Sequence, residues 1–128
     1  PVRDRRSGTR RRRSEAGLFF LMQQIRPRQL ADWLSDDSRK KPVLLDVREP
    51  WEFALCSLPG SRHIPMHLIP QRLAELNPDD EIIAICHHGG RSMQAAMFLE
   101  RQGYSTLFNL MGGVDAWANE VDPKLPRY

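Results

Sequence analysis

One cysteine stands at a point of the chain that suits a reactive thiolate. It follows an apolar run at 82–85 and opens a short loop that leads into a helix-like segment at 93–102. The loop consists of Cys86, His87, His88, Gly89, Gly90, Arg91 and Ser92. Backbone N–H groups at the start of a helix lack intrahelical partners and can converge on an anion such as a thiolate. The pattern therefore predicts a nucleophile at Cys86.

The remaining residues of this loop have properties that suit an anion site. Gly89 and Gly90 allow positive φ and a close approach of the backbone to an anion. Arg91 adds a permanent positive charge. His87 and His88 can donate, accept or titrate near neutral pH. Because a cysteine reacts as its thiolate, and free cysteines are mostly thiols at neutral pH, an anion-stabilising loop favours reactivity.

Two different interpretations of this cysteine stay open from the residues alone. A cysteine at the end of a buried strand can be a small apolar core residue. Cys86, His87 and His88 could also be metal ligands, but three adjacent residues do not easily surround one tetrahedral ion. No second Cys/His cluster occurs at ligand spacing. We therefore expect no metal site and no cofactor.

The composition is that of one domain of moderate size. With 128 residues, of which 41% are hydrophobic, the chain can bury one sizeable core. Its two cysteines, Cys56 and Cys86, provide no disulfide framework, and no apolar stretch is long enough to span a membrane. These features predict a cytoplasmic protein without a membrane partner.

The positive charge of the chain is concentrated in its first 21 residues. They contain seven arginines against Asp4 and Glu15, a balance of +5, so residues 22–128 carry −2 of the total of +3. We expect residues 1–21 to be a disordered Arg-rich arm that derives from vector or translated upstream sequence. The arm could instead bind nucleic acid or serve as an organelle presequence. The domain itself, residues 22–128, is not expected to bind nucleic acid.

The segments that must position the cysteine alternate between strand-like and helix-like patterns. Strands are predicted at 23–26, 43–47, 62–64, 81–85 and 106–110. Helices are predicted to begin at Pro27 and Pro50, to cover 68–76 and 93–102, and to include Val114 and Trp117. Such alternation indicates an α/β fold with a central, mostly parallel sheet and helices on both faces.

Sheets of this kind bind ligands outside the carboxyl ends of their strands. Cys86 follows one predicted strand, while Asp46 and Arg48 lie at the end of another. The three side chains can therefore converge although they are distant in sequence. Asp46 and Arg48 either support the site directly, or they pair with each other or form hydrogen bonds within the loop. The second arrangement is also compatible with shaping the site.

Four segments together resemble a single-domain rhodanese. They are LDVREPWEF at 45–53, HIP at 63–65, CHHGGRS at 86–92 and MGGVDAW at 111–117. The resemblance covers about residues 23–122 and implies a rhodanese-like three-layer fold. It also implies a sulfurtransferase without a cofactor, which moves sulfane sulfur from a small donor such as thiosulfate to cyanide or a thiol. The sulfur would pass through a persulfide on Cys86.

The resemblance further implies roles for the loop residues. The backbone amides of residues 87–92 would line the sulfur pocket, Arg91 would hold the departing sulfite or the persulfide, and Ser92 would also cap the next helix. Phosphatases and arsenate reductases share this fold, but a phosphatase loop places its arginine six positions after the cysteine, whereas Arg91 comes at five. The chain could also be a sulfur carrier with a protein donor or acceptor, or a non-catalytic binding module, although such modules typically lack the cysteine.

The sequence departs from the family pattern at Cys56 and Ser57, where Gly-His is usual. No role of that histidine can therefore be carried over to this chain. Cys56 is predicted to be a half-buried small residue, although it could also be a resolving thiol that accepts sulfur from Cys86.

Overall fold

A computed structural model of the chain describes residues 12–13, 19–20 and 22–128. Its elements, in chain order, are β1 (Arg12–Arg13), β2 (Phe19–Phe20), β3 (Met22–Ile25), α1 (Pro27–Ser35), β4 (Val43–Asp46), α2 (Pro50–Leu55), β5 (Arg62–His63), two 3-10 helices (Met66–Gln71 and Leu73–Glu75), β6 (Glu81–Ile85), α3 (Gly90–Arg101), β7 (Thr106–Leu110) and α4 (Gly113–Glu120). All predicted strands occur, and their ends differ from the predicted ones by at most one residue.

Strand β6 lies at the centre of a five-stranded sheet with the order β3-β7-β6-β4-β5. Every pairing in this sheet is parallel. The residues of β6 from Ile82 to Ile85 are buried, which explains their continuous apolar run, because a central parallel strand is covered on both faces. The α/β fold with a parallel central sheet is confirmed.

Two hydrophobic clusters cover the opposite faces of the sheet, because successive strand side chains point to opposite sides. One cluster contains Leu45, Ile82, Ala84 and Leu107 with residues of α3 and the 3-10 helices. The second contains Leu44, Ile83, Ile85 and Leu110 with residues of α1 and α4. The layers are therefore helix, sheet and helix, as predicted. Within the described part of the chain, none of the helices has the length and apolar content needed to cross a membrane.

The prediction of one amphipathic helix at 68–76 is wrong, because this segment forms the two 3-10 helices. Pro70 lies inside the first of them. Proline has no N–H to donate and its ring clashes with the carbonyl four residues earlier, so an α-helix cannot run through this position. The apolar periodicity still identified buried residues, since Ile69 and Leu76 both lie in the core.

The helix after the cysteine loop begins at Gly90, three residues earlier than predicted. Gly89 precedes it as the N-cap with φ 108°, a left-handed conformation that glycine adopts without strain. Arg91 and Ser92 therefore belong to the first turn of α3 and not to the loop. The expectation that Ser92 caps the helix is corrected accordingly.

Strands β1 and β2 form a short antiparallel pair within the predicted Arg-rich arm. The remaining residues of the arm, 1–11, 14–18 and 21, lie outside the described residues. The expected disorder and origin of the arm therefore stay predictions.

Candidate active site

Cys86 directly follows the central strand β6 and lies against the first turn of α3. The residue is buried, with 1% of its surface exposed. Its Sγ accepts the backbone N–H of Gly89 at 3.0 Å and that of Ser92 at 3.3 Å. Both donors belong to the helix start, where the helix dipole also favours negative charge. The arrangement is suited to stabilising an anionic sulfur at this position.

The hydroxyl of Ser92 completes the contacts around the sulfur. Its Oγ lies 3.2 Å from Sγ of Cys86 and donates a short hydrogen bond to Oδ1 of Asn109. Nδ2 of Asn109 in turn donates to the carbonyl oxygen of Gly89 at 3.1 Å. Asn109 thus connects Ser92, in the first turn of α3, with Gly89, the residue that precedes this helix.

The segment before α4 supports the opposite side of the loop. The backbone N–H of Val114 donates to the carbonyl oxygen of Cys86 at 2.9 Å, and that of Asp115 donates to the carbonyl oxygen of His87 at 3.1 Å. Gly113 has φ 61°, and a Cβ at this position would collide with the carbonyl oxygens of Cys86 and His87. The close approach of the two chain segments therefore requires glycine here.

Arg91 is held by a buried carboxylate. Its Nη1 and Nη2 donate to Oε1 and Oε2 of Glu52 at 2.7 and 2.9 Å. Hydrogen bonds from Arg91 lower the pKa of Glu52 to about 2, against the opposing effect of burial. The same bonds raise the pKa of Arg91 against the effect of burial, and a thiolate at Cys86 would act in the same direction. Arg91 therefore places a positive charge within electrostatic range of Cys86, in an orientation that Glu52 fixes.

This ion pair predicts a specific pH dependence of stability. The pKa of Glu52 is depressed from 4.5 to about 2, so its stabilising effect is complete above the unfolded value and is lost as the pH falls toward 2. Because Arg91 is partly exposed, solvent screens the pair, and we expect about 2 kcal/mol from it at neutral pH. The difference in unfolding free energy between the protein and Glu52→Gln should be constant above pH 6 and shrink below pH 5. Urea unfolding at a series of pH values measures it, and a pH-independent difference would contradict the assignment.

Asp46 and Arg48 pair with each other at the carboxyl end of β4. Both residues are fully buried, and Nη2 of Arg48 lies 2.7 Å from Oδ2 of Asp46 while Nε lies 2.9 Å from Oδ1. Arg48 also donates to the carbonyl oxygen of Cys56 at 2.5 Å. Mutual pairing is thus the observed arrangement, and support of the site by this pair stays a proposal.

Cys56 lies beside this buried arginine. It is 7% exposed and belongs to the hydrophobic cluster under α1 and α4. Nη1 of Arg48 lies 3.7 Å from its Sγ. The residue is more deeply buried than predicted. A role as a resolving thiol stays a hypothesis.

The two histidines of the loop stack on each other. Their ring centroids are 4.0 Å apart, and the ring of His87 also stacks on Tyr128 at 4.0 Å. Burial, and secondarily the charge of His88, lower the pKa of His87. Nε2 of the exposed His88 lies 3.8 Å from Oδ2 of Asp115. The lowered pKa favours the neutral form of His87, whose ring can then donate or accept a hydrogen bond at the edge of the loop.

Three of these side chains could offer ligand atoms to a metal ion. The ligand atoms of His87, His88 and Asp115 lie within 4.8 Å of one another. Oδ1 of Asp115 already accepts a hydrogen bond from Nη2 of Arg127 at 2.9 Å, which places a cation beside the cluster. That charge opposes metal binding, so the group does not alter the expectation of a reaction without a metal.

Sequence reasoning missed three residues of this site. Glu52 lies in one of the segments that resemble the family, but no role was assigned to it. The signal that could have identified it is Arg91, because an arginine beside a buried site usually has a carboxylate partner. Asn109 could have been noticed as a polar residue in the apolar strand β7. No local sequence pattern points to Tyr128, because the Glu52 that it contacts lies 76 positions earlier in the chain.

The arrangement can support nucleophilic chemistry at sulfur. Two amides and a hydroxyl surround Sγ of Cys86, and the guanidinium of Arg91 lies in electrostatic range. A thiolate formed there would be stabilised, and so would an anion formed during the reaction.

Several known proteins resemble this chain over most of its length. Residues 29–120 match the family described as the rhodanese-like domain. A sulfurtransferase of Allochromatium vinosum is 38% identical over 103 residues, which cover 80% of this chain and 94% of that protein. A putative sulfur carrier protein of Bacillus subtilis, YrkF, is 38% identical over 67% of this chain and 46% of its own length. The crystal structure of a rhodanese-like domain protein from Staphylococcus aureus superimposes with a TM-score of 0.72 at 30% identity, covering 84% of this chain and 99% of that one.

Curated relatives differ widely in length. The chain spans nearly all of the Allochromatium protein but only 26% to 46% of four further relatives. The match extends over most of this chain and includes the cysteine loop, the strand β4 and the start of α4. The chain therefore belongs to the rhodanese-like domain family.

Proposed function

We propose that this protein is a sulfurtransferase that carries sulfane sulfur as a persulfide on Cys86. Family membership and relatives named as sulfurtransferases support sulfur transfer in general. The observation that carries the proposal is the position of Sγ of Cys86, which accepts two backbone N–H groups at the start of α3. Thiosulfate is proposed as a donor and cyanide or a thiol as the acceptor.

The proposed reaction has two displacement steps. The thiolate of Cys86 attacks the outer sulfur of thiosulfate, a sulfur–sulfur bond forms, and the bond to the sulfonate sulfur breaks, so that sulfite leaves with the electron pair. Cyanide or a thiolate then attacks the terminal sulfur of the persulfide and leaves with it, which regenerates the thiolate of Cys86. No electrons are gained or lost overall, so no cofactor is needed.

The residues around Cys86 have distinct proposed tasks in these steps. The amides of Gly89 and Ser92 stabilise the anionic sulfur, and the hydroxyl of Ser92 can donate to it after turning away from Asn109. Arg91 attracts the anionic donor and stabilises the departing sulfite. The ring of His87 lies at the edge of the loop, where it can form a hydrogen bond with the bound sulfur donor.

Intact-mass measurement after incubation with thiosulfate tests the proposal. We expect the protein to gain the mass of one sulfur atom, and we expect cyanide to remove it with the formation of thiocyanate. Cys56→Ser is the matched control, because it removes the second cysteine and leaves Cys86 in place. It should gain the same mass. Absence of a mass gain in both proteins would refute thiosulfate as the donor, and a gain lost in Cys56→Ser would place the sulfur on the wrong cysteine.

A sulfur carrier that works with a protein donor or acceptor is the second candidate. The name of the Bacillus relative, a putative sulfur carrier protein, favours it. The chemistry at Cys86 would be the same, and only the partner would differ. Faster loading of Cys86 from the persulfide of a cysteine desulfurase than from thiosulfate would support this role, and equal or slower loading would favour the small donor.

A further inference from the structure

The hydroxyl of Tyr128 lies between the two ion pairs of the site. Nη1 of Arg48 donates to it at 2.9 Å, and the hydroxyl donates to Oε2 of Glu52 at 2.8 Å. Arg48 belongs to the fully buried pair with Asp46, and Glu52 belongs to the pair with Arg91. One phenol therefore connects the buried pair at the end of β4 with the arginine beside the cysteine loop.

The position of Tyr128 is fixed from several sides. Its ring stacks on His87 at 4.0 Å and packs edge-on against Trp51 at 5.6 Å. Tyr128 and Leu125 also pack against the hydrophobic cluster under α1 and α4. Nη2 of Arg127 forms an ion pair with Oδ1 of Asp115 at 2.9 Å. These contacts hold the phenol in one place, so its hydroxyl can orient the groups that it binds.

The hydroxyl is available as a donor throughout the physiological pH range. Burial raises the pKa of Tyr128 to about 12. The phenol therefore stays neutral and can accept from Arg48 while it donates to Glu52. Glu52 has its two oxygens occupied by Arg91, by the backbone N–H of Glu49 at 2.9 Å and by Tyr128. Among these donors, Tyr128 is the side chain that also contacts the buried pair of Asp46 and Arg48, because its hydroxyl accepts a hydrogen bond from Arg48.

We propose that Tyr128 is a positioning residue that holds Glu52, and through it Arg91, so that the guanidinium attracts anionic substrates to Cys86. Nη1 of Arg48 also donates to the backbone carbonyl oxygen of Glu52 at 3.3 Å, so without the hydroxyl it is the carboxylate of Glu52 that loses its link to Arg48. The partly exposed Arg91 then moves more freely. The positive charge near the sulfur then becomes less well placed. The inference rests on the proposed function only in taking Cys86 as the reactive thiol.

Alkylation with a charged and a neutral reagent of similar size tests this role. In both cases the thiolate of Cys86 attacks the methylene carbon and iodide leaves, but iodoacetate carries a negative charge and iodoacetamide does not. The rates are measured at one neutral pH in the Cys56→Ser background, so that Cys86 is the cysteine that reacts. We expect Tyr128→Phe to lower the ratio of the iodoacetate rate to the iodoacetamide rate about threefold to tenfold. This is less than the full value of a hydrogen bond to a charged group, because the effect reaches Cys86 only through Glu52 and Arg91.

Tyr104→Phe is the matched control. Its hydroxyl also donates within the fold, to the carbonyl oxygens of Leu73 and Leu76 at 3.1 and 3.3 Å. We expect it to leave the ratio unchanged even if it lowers stability. An unchanged ratio in Tyr128→Phe, or an equal fall of both rates, would overturn the proposal and reduce Tyr128 to a structural residue. Alkylation does not depend on sulfur transfer, so the inference and the proposed function can fail separately.

Discussion

Cys86→Ser is expected to abolish sulfur transfer while the fold is preserved. Serine lacks the sulfur that must become the persulfide, and its hydroxyl is a far weaker nucleophile than a thiolate at neutral pH. We expect the rate of thiocyanate formation from thiosulfate and cyanide to fall by at least about a thousandfold. The serine oxygen can still accept the N–H groups of Gly89 and Ser92, so the buried donors remain satisfied and unfolding by urea should change little.

Cys56→Ser provides the comparison for this experiment. Both cysteines are buried, so both substitutions replace a buried sulfur by oxygen. If Cys56 were an obligatory resolving thiol, its loss would also stop turnover, whereas the core position predicts nearly full activity. Turnover of Cys86→Ser close to that of the unchanged protein would eliminate the persulfide mechanism.

The strands and most of the helices could be predicted because their sequence patterns each involve only neighbouring residues. The continuous apolar run of β6 and the prolines at the starts of α1 and α2 each depend on a few neighbouring residues. The prediction failed at 68–76, where two local signals contradict each other. The apolar periodicity around Ile69 is helical, but Pro70 interrupts the backbone hydrogen bonds that an α-helix needs, and the segment becomes 3-10.

The backbone arrangement of the cysteine loop could be predicted from the sequence. Glycines after a strand and before a helix indicate where N–H groups converge, and Gly89 does adopt the left-handed conformation that begins α3. The partners of the charged side chains could not be obtained in the same way. Arg91 contacts Glu52, which lies 39 positions earlier, and Tyr128 contacts both Glu52 and Arg48. Such contacts depend on how distant elements pack.

These distant contacts also change the interpretation of the charges. From the sequence, Arg91 has no assigned partner, and the pairing of Arg48 with Asp46 is only one of the arrangements considered. In the structure the two arginines alternate with Asp46 and Glu52, and Tyr128 connects the two pairs. Each arginine is therefore neutralised locally. The proposed attraction of an anionic donor to the loop would then depend on the geometry of the pairs, and not on a surplus of positive charge.

The largest loss of stability is expected from Asp46→Asn. The substitution keeps the shape of the side chain and one carbonyl oxygen, but it leaves the guanidinium of Arg48 charged in a fully buried position without its partner. Removing one member of a buried ion pair typically costs about 3–5 kcal/mol, because the remaining charge stays desolvated. We expect a loss of this size in the free energy of unfolding, measured with urea and tryptophan fluorescence.

Two further variants decide whether the buried charge is the cause. Glu75→Gln breaks the exposed pair with Arg72, which has the same chemistry but is solvated, and it should change stability far less. Adding Arg48→Met to Asp46→Asn removes the unpaired charge, so the double variant should recover part of the lost stability even though it has lost one more native side chain. If Asp46→Asn costs no more than Glu75→Gln, the buried pair does not stabilise this end of β4. If the double variant is less stable than Asp46→Asn, the remaining hydrogen bonds of Arg48 outweigh its unpaired charge.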